Sequence, residues 1–173
     1  MKTRTNKMAS VAVAIGLFVG AGMLANAQTE IPWQGGNTNG NWSDAGNWGA
    51  NPVPNSNAIR VTIPQATASI NVDSDFTVNS VRKLWASEAG GSTSVISGPG
   101  TLTIDINSSS GTPPGFMNNA GTGSGSNGTV LEFDGNVTVA NSGSARTSIE
   151  IGNNSANVVR FGTASMLTLN SQM

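Results

Sequence analysis

The chain has 173 residues, eight basic and nine acidic side chains for a net charge of −1, and no cysteine, histidine or tyrosine. That excludes disulfides, Ser-His-Asp and Cys-His catalysis, and zinc sites built on imidazole. The few cations are scattered rather than gathered into a stripe, so nucleic-acid binding is not expected.

Lys2, Arg4 and Lys7 form a basic leader, Val11 to Leu24 is an apolar run, and Ala25-Asn26-Ala27 supplies the small-x-small pattern that a signal peptidase cuts. Residues 1–27 are therefore expected to be a cleaved Sec signal peptide, the apolar run being short for a membrane span. Removing those 27 leaves 146 residues, five of the eight basic side chains and all nine acidic ones, a net charge of −4. This is about the size of one ordinary domain. It is rich in Gly, Asn, Ser and Thr but lacks the high charge of a disordered chain, and its Val, Ile and Leu keep alternating positions.

Residues 28–57 form a Trp/Asn-rich segment in which Trp33, Trp42 and Trp48 stand among Gly, Asn, Ser and Asp. Such a stretch cannot build a regular ladder. It has to be ordered by burying indoles and by side chains such as Asp44 and Asn47 that cap their own turns. Two readings stay open: a structural cap over the first coil, or a glycan contact in which exposed indoles stack on sugar rings.

Residues 58–173 read as short strands joined by polar corners. The first begins at Ala58, with Ile59, Val61 and Ile63 on one face. Ser94–Asn107 (SVISGPGTLTIDIN) shows a short strand, a Gly98-Pro99-Gly100 corner predicting a tight turn, and a second strand with Leu102, Ile104 and Ile106 alternating. The same rhythm returns at Leu131/Phe133, Val137/Val139, Ile149/Ile151, Val159/Phe161 and Leu167/Leu169, the expected core. Residues 108–128 break the rhythm and are expected to form a long loop. Each strand offers two or three inward apolar residues, too few for a core alone, so stacked coils are needed to join them into columns. The fold class is therefore all-β, a parallel β-helix with an N-terminal cap. The alternative is an antiparallel β-sandwich, for which Asp134-Gly135 and Asn127-Gly128 would serve as hairpin turns. Ser165–Asn170 is a strand in mid-rhythm with nothing capping it, from which we expect the N-terminal part of a longer protein and a tendency to end-to-end self-association.

The pattern from Trp33 through GNWSDAGNW and NPVPN to the strands and GPGTLTI, as far as Ile106, resembles the leader of exported bacterial β-helix proteins that carry autotransporter-associated β-strand repeats. The resemblance implies a passenger secreted or displayed on the surface of a Gram-negative-type bacterium, with the Trp/Asn segment covering the first coil.

Asp73/Asp75 and Glu132/Asp134 are carboxylates two apart that could share a face, with Arg82 or Lys83 nearby. Paired carboxylates can run glycoside hydrolysis or hold calcium, but a solvent-facing strand surface explains them as well. No catalytic, metal or cofactor site is assigned. The expected function is a structural, adhesin-like solenoid in multivalent contact with surface or environmental polysaccharide; the alternative is a carbohydrate-binding or polysaccharide-degrading module on the same coil.

Overall fold

Strands dominate because the chain alternates apolar and polar residues while Gly, Pro and Asn interrupt every longer run. A computed structural model describes residues 28–35, 39–85, 92–107, 116–120, 129–143, 149–151 and 158–170. The expected signal peptide lies outside them. Ten strands follow in order: β1 (Thr29–Pro32), β2 (Ser56–Ile63), β3 (Ala68–Asn71), β4 (Phe76–Trp85), β5 (Ser92–Asp105), β6 (Phe116–Ala120), β7 (Thr129–Ala140), β8 (Ile149–Ile151), β9 (Val158–Phe161) and β10 (Met166–Asn170). One short 3₁₀ turn, Ala45–Trp48, is the helical element among the described residues.

The strands belong to one open sheet whose described ladders all run parallel. One stack runs β1-β2-β4-β6-β8 and a second β3-β5-β7-β9. A third joins the start of β4, the second half of β5 and the second half of β7 to β10. The long strands β4, β5 and β7 bend from one stack into the next, which makes the sheet continuous. Parallel neighbours cannot be joined by two-residue turns, so the hairpin sandwich is set aside. Asp134-Gly135 is no turn: both residues lie inside β7, with Gly135 opposite Gly98 of β5. Asn127-Gly128 lies outside the described residues.

Register turns the alternation into columns. Ile31, Val61 and Val81 stand in line across the first stack, Ile70, Ile96, Phe133 and Phe161 across the second, and Val78, Ile104, Val139 and Leu169 across the third. The Phe133 and Phe161 rings stack with centroids 5.8 Å apart. Val61, Ile63, Leu102, Ile104, Ile106, Leu131, Phe133, Val137 and Val139 are buried, and Ile59, Val159 and Phe161 pack against them partly buried. Ile149 and Ile151 fall in β8, but their side chains lie outside the described residues.

Four expectations are corrected. Leu167 and Leu169 are not in the core: they are 37% and 67% exposed, because among the described residues β10 pairs only with β7 and carries no layer on its other side. The first strand is β1, ahead of Ala58, inside the segment expected to be a cap. Residues 108–128 do not form one long loop, since β6 crosses their middle and pairs with β4 and β8. Its Phe116 takes the position opposite Val81, a register that Phe116 and Met117, adjacent rather than alternating, did not signal.

The fourth concerns Gly98-Pro99-Gly100, which is a bulge in one continuous strand. Against β7, Gly98 pairs with Gly135 and Thr101 with Asn136, leaving Pro99 and Gly100 as extra residues. Pro99 has no N–H to leave unpaired, and the Gly100 amide donates to the Val72 carbonyl at 2.8 Å. A Cβ on Gly100 would lie 2.1 Å from the backbone oxygen of Ser74, and Gly98 has a φ of 130°. Gly100→Ala is therefore expected to lose about 3 kcal/mol by urea unfolding, the upper range for overpacking. Gly135→Ala, whose nearest contact is 3.1 Å away, should lose clearly less.

Candidate functional site

The Trp/Asn segment folds around its own polar side chains. Asp44 caps the 3₁₀ turn, its Oδ1 accepting from the Gly46 amide at 2.9 Å and its Oδ2 from Asn39 Nδ2 at 2.7 Å. Asn47 is buried, and its Nδ2 donates to the Asn41 carbonyl at 2.9 Å while its own carbonyl accepts from the Gln34 amide. The turn thereby drives Trp48 inward. Trp48 meets Trp33 and Trp42 edge-on, each at 4.9 Å between centroids, and Trp42 stacks on Phe76 of β4 at 5.7 Å. Both inner indoles have carbonyl partners: Trp42 Nε1 donates to Pro54 at 2.9 Å and Trp48 Nε1 to Trp42 at 2.7 Å.

The three indoles are at most 2% exposed, so none offers a face for a sugar ring to stack on. Their packing suits a lid over the apolar column that starts at Ile31, itself 1% exposed. The lid is pinned to the sheet by Asn71. Its amide nitrogen donates to the Gly40 carbonyl, its carbonyl accepts from the Trp42 amide, and its side chain donates to Asn41 Oδ1 at 2.7 Å. The two asparagines stack across a parallel bridge, an amide ladder of two steps.

The acidic pairs do not converge on a reaction centre. Asp75 Oδ1 accepts from the Thr101 amide at 2.8 Å and Asp134 Oδ1 from the Ala164 amide at 3.0 Å. Each carboxylate thus holds the corner of the neighbouring layer. Asn55 does the same for Thr77, and Asp105 for Ser142. Glu132 pairs across the ladder with Arg160, an exposed ion pair of little energetic weight that raises the guanidinium's already high pKa through the Glu132 hydrogen bond. Burial acts to raise the Asp73 carboxyl, but hydrogen bonds from the Ser43 hydroxyl and amide outweigh it and hold the group below the usual value.

Sequence reasoning missed a buried cation. Lys83 is fully buried, and its Nζ donates to the Gln65 carbonyl at 3.2 Å, the Ala66 carbonyl at 2.8 Å and Ser94 Oγ at 2.7 Å. Three acceptors match the three donors of an ammonium. Burial lowers its pKa to about 8, leaving it charged at neutral pH. The signal was present, because Lys83 is two residues after the inward Val81 in the same strand. Arg82, between them, points to the other side and forms no ion pair among the described residues.

Beside the lid, a cleft of about 350 Å³ is lined by Trp33, Gln34, Asn39, Gln65, Ser69 and Asn71 among others. Its amides and hydroxyls can exchange hydrogen bonds with a small polar ligand. Among the described residues no cluster of three or more His, Cys, Asp or Glu side chains could hold a metal, and no helix is long and apolar enough to cross a membrane.

No family model, curated protein or solved structure matches this chain. The resemblance of Trp33 to Ile106 to exported β-helix proteins rests on those residues alone.

Proposed function

We propose that the sheet coils as a parallel β-helix and that the chain is an exported, surface-displayed, adhesin-like passenger of a Gram-negative-type bacterium. It would make multivalent, non-catalytic contacts with polysaccharide. The observation that carries this reading is a threonine column. Thr77, Thr103, Thr138 and Thr168 stand opposite one another across four successive strands. Each alternates with the inward column and is partly exposed. Neighbouring strands are about 4.8 Å apart, so the column repeats one hydroxyl and one methyl group at a fixed interval. A periodic display of weak contacts gains strength from a polymeric, periodic ligand through effective concentration. Use of the carboxylates as corner ties supports binding over turnover.

On a polysaccharide array the chain is expected to bind at least one polymer without releasing reducing or unsaturated ends. Thr103→Ala combined with Thr138→Ala should weaken that binding about tenfold or more with little change in melting. Release of products, or binding indifferent to the threonines, would refute the reading. The polar cleft favours a second reading, a small-saccharide site, which predicts instead that Gln34→Ala and Asn39→Ala abolish binding of an oligosaccharide.

A further inference from the structure

Asn39-Gly40 is one of two Asn-Gly pairs in the chain; the other, Asn127-Gly128, lies outside the described residues. Asparagine is chemically labile where the next backbone nitrogen can reach its side-chain carbonyl carbon, and glycine leaves that nitrogen unshielded. Gly40 has a φ of 64°, and Asn39 is exposed, so water reaches the pair. The side chain is folded back on its own backbone. Asn39 Oδ1 accepts from the Asn41 amide at 3.1 Å, closing an Asx turn. Cγ, Cβ, Cα and the main-chain carbonyl carbon of Asn39, with the Gly40 nitrogen, all belong to the ring that this hydrogen bond closes. They are also the atoms of a succinimide ring. Asn47 Nδ2 donates to the same oxygen at 3.2 Å. Two N–H groups are thus aimed at the atom on which negative charge develops when nitrogen adds to Cγ.

From this arrangement we infer that Asn39-Gly40 is a self-modifying site, which converts in the folded chain to aspartate and isoaspartate and thereby releases the indole lid. The Gly40 nitrogen gives up its proton and bonds to Cγ. The Cγ–Nδ2 bond breaks, and Nδ2 leaves with that proton as ammonia. Water then opens the succinimide at either carbonyl, giving aspartate or an isoaspartate whose main chain runs through Cβ and Cγ. Both products undo ties of the lid. Asn39 Nδ2 donates to Asp44 Oδ2 at 2.7 Å, and the product sets a second carboxylate there. Asp44 caps the turn that seats Trp48, and its charge already acts on Asp73, so the new charge meets a site that is negative to begin with. The isoaspartate also inserts an extra carbon just before Gly40, whose carbonyl accepts from the Asn71 amide at 2.9 Å and pins the lid to the sheet.

The test ages the folded chain and the guanidinium-unfolded chain side by side at mildly alkaline pH. Trypsin separates the two pairs, because Asn39 falls on the peptide that ends at Arg60 and Asn127 on the one between Lys83 and Arg146. Mass spectrometry is expected to find the Asn39 amide replaced by an acid, with isoaspartate among the products, at least about tenfold faster in the folded chain than in the unfolded one. Hydrogen exchange on the aged chain should show loss of protection at the Trp42 and Asn71 amides, which bridge lid and sheet. Asn39→Asp should reproduce that loss and lower the urea midpoint. Asn39→Ser keeps a turn-forming oxygen without a carboxylate or a leaving amide, so it should abolish the mass change at this position and leave both amides protected. An Asn39 that stays an amide in the fold, conversion no faster folded than unfolded, or a converted chain whose two amides are as protected as the parent's would each overturn the inference.

Discussion

Trp42→Ala is expected to lose about 3–5 kcal/mol of folding stability, the range for removing a large buried aromatic ring. Trp42 is fully buried, packs on Trp48 and Phe76, and ties Pro54 through its Nε1. Its removal opens the lid over β1, so amides from Thr29 to Pro32 should lose hydrogen-exchange protection before the rest of the sheet. Trp42→Phe keeps much of the packing but leaves the Pro54 carbonyl without its donor, for a loss of about 1–2 kcal/mol. Urea unfolding checks the ranking and exchange checks the location. Were the indoles a glycan platform instead, Trp42→Ala would abolish sugar binding at nearly unchanged stability.

Raising the pH from 8 to 10.5 is expected to stabilise the protein, and Lys83 is the reason. Its pKa falls from 10.5 in the unfolded chain to about 8 in the fold because burial penalises the charged form. Across that window the unfolded state binds more protons than the folded one, so stability rises with pH. Below pH 8 both states are protonated and the full penalty is in force. The shift corresponds to about 3 kcal/mol, an upper figure because three hydrogen bonds to Nζ oppose the desolvation. The absence of histidine, cysteine and tyrosine removes the other side chains that would titrate between neutrality and lysine. Lys83→Met should flatten the stability profile across the window with little loss at pH 7. Lys83→Ala should flatten it too but lose about 3 kcal/mol more than Lys83→Met, since both strand the three acceptors and lift the buried charge while only alanine leaves a cavity. A profile unchanged by Lys83→Met would contradict the burial of its charge.

Lys83 also explains why a polar core position escaped the sequence reading. Alternation marks which side of a strand faces inward, and Lys83 shares that side with Val81. The carbonyls of Gln65 and Ala66, brought over it by the bend after β2, together with the Ser94 hydroxyl of β5, make an inward lysine tolerable. The corner ties have the same origin. Asp75 and Thr101 are 26 residues apart and become partners because two layers stack in register. No local pattern distinguishes a carboxylate that holds the next layer from one free to act on a substrate.

Alternation and corner residues by themselves determined an all-β chain, most of its inward residues and the separate character of the Trp-rich opening, because a period of two and the conformational limits of Gly and Pro are properties of adjacent residues. Tertiary structure decided the parallel sense of the ladders, the bulge at Gly98-Pro99-Gly100, the strand inside the long break and the exposure of Leu167 and Leu169. Each depends on what lies one layer away. The spacing between layers is set by irregular connections, and a local pattern carries no measure of their length in space.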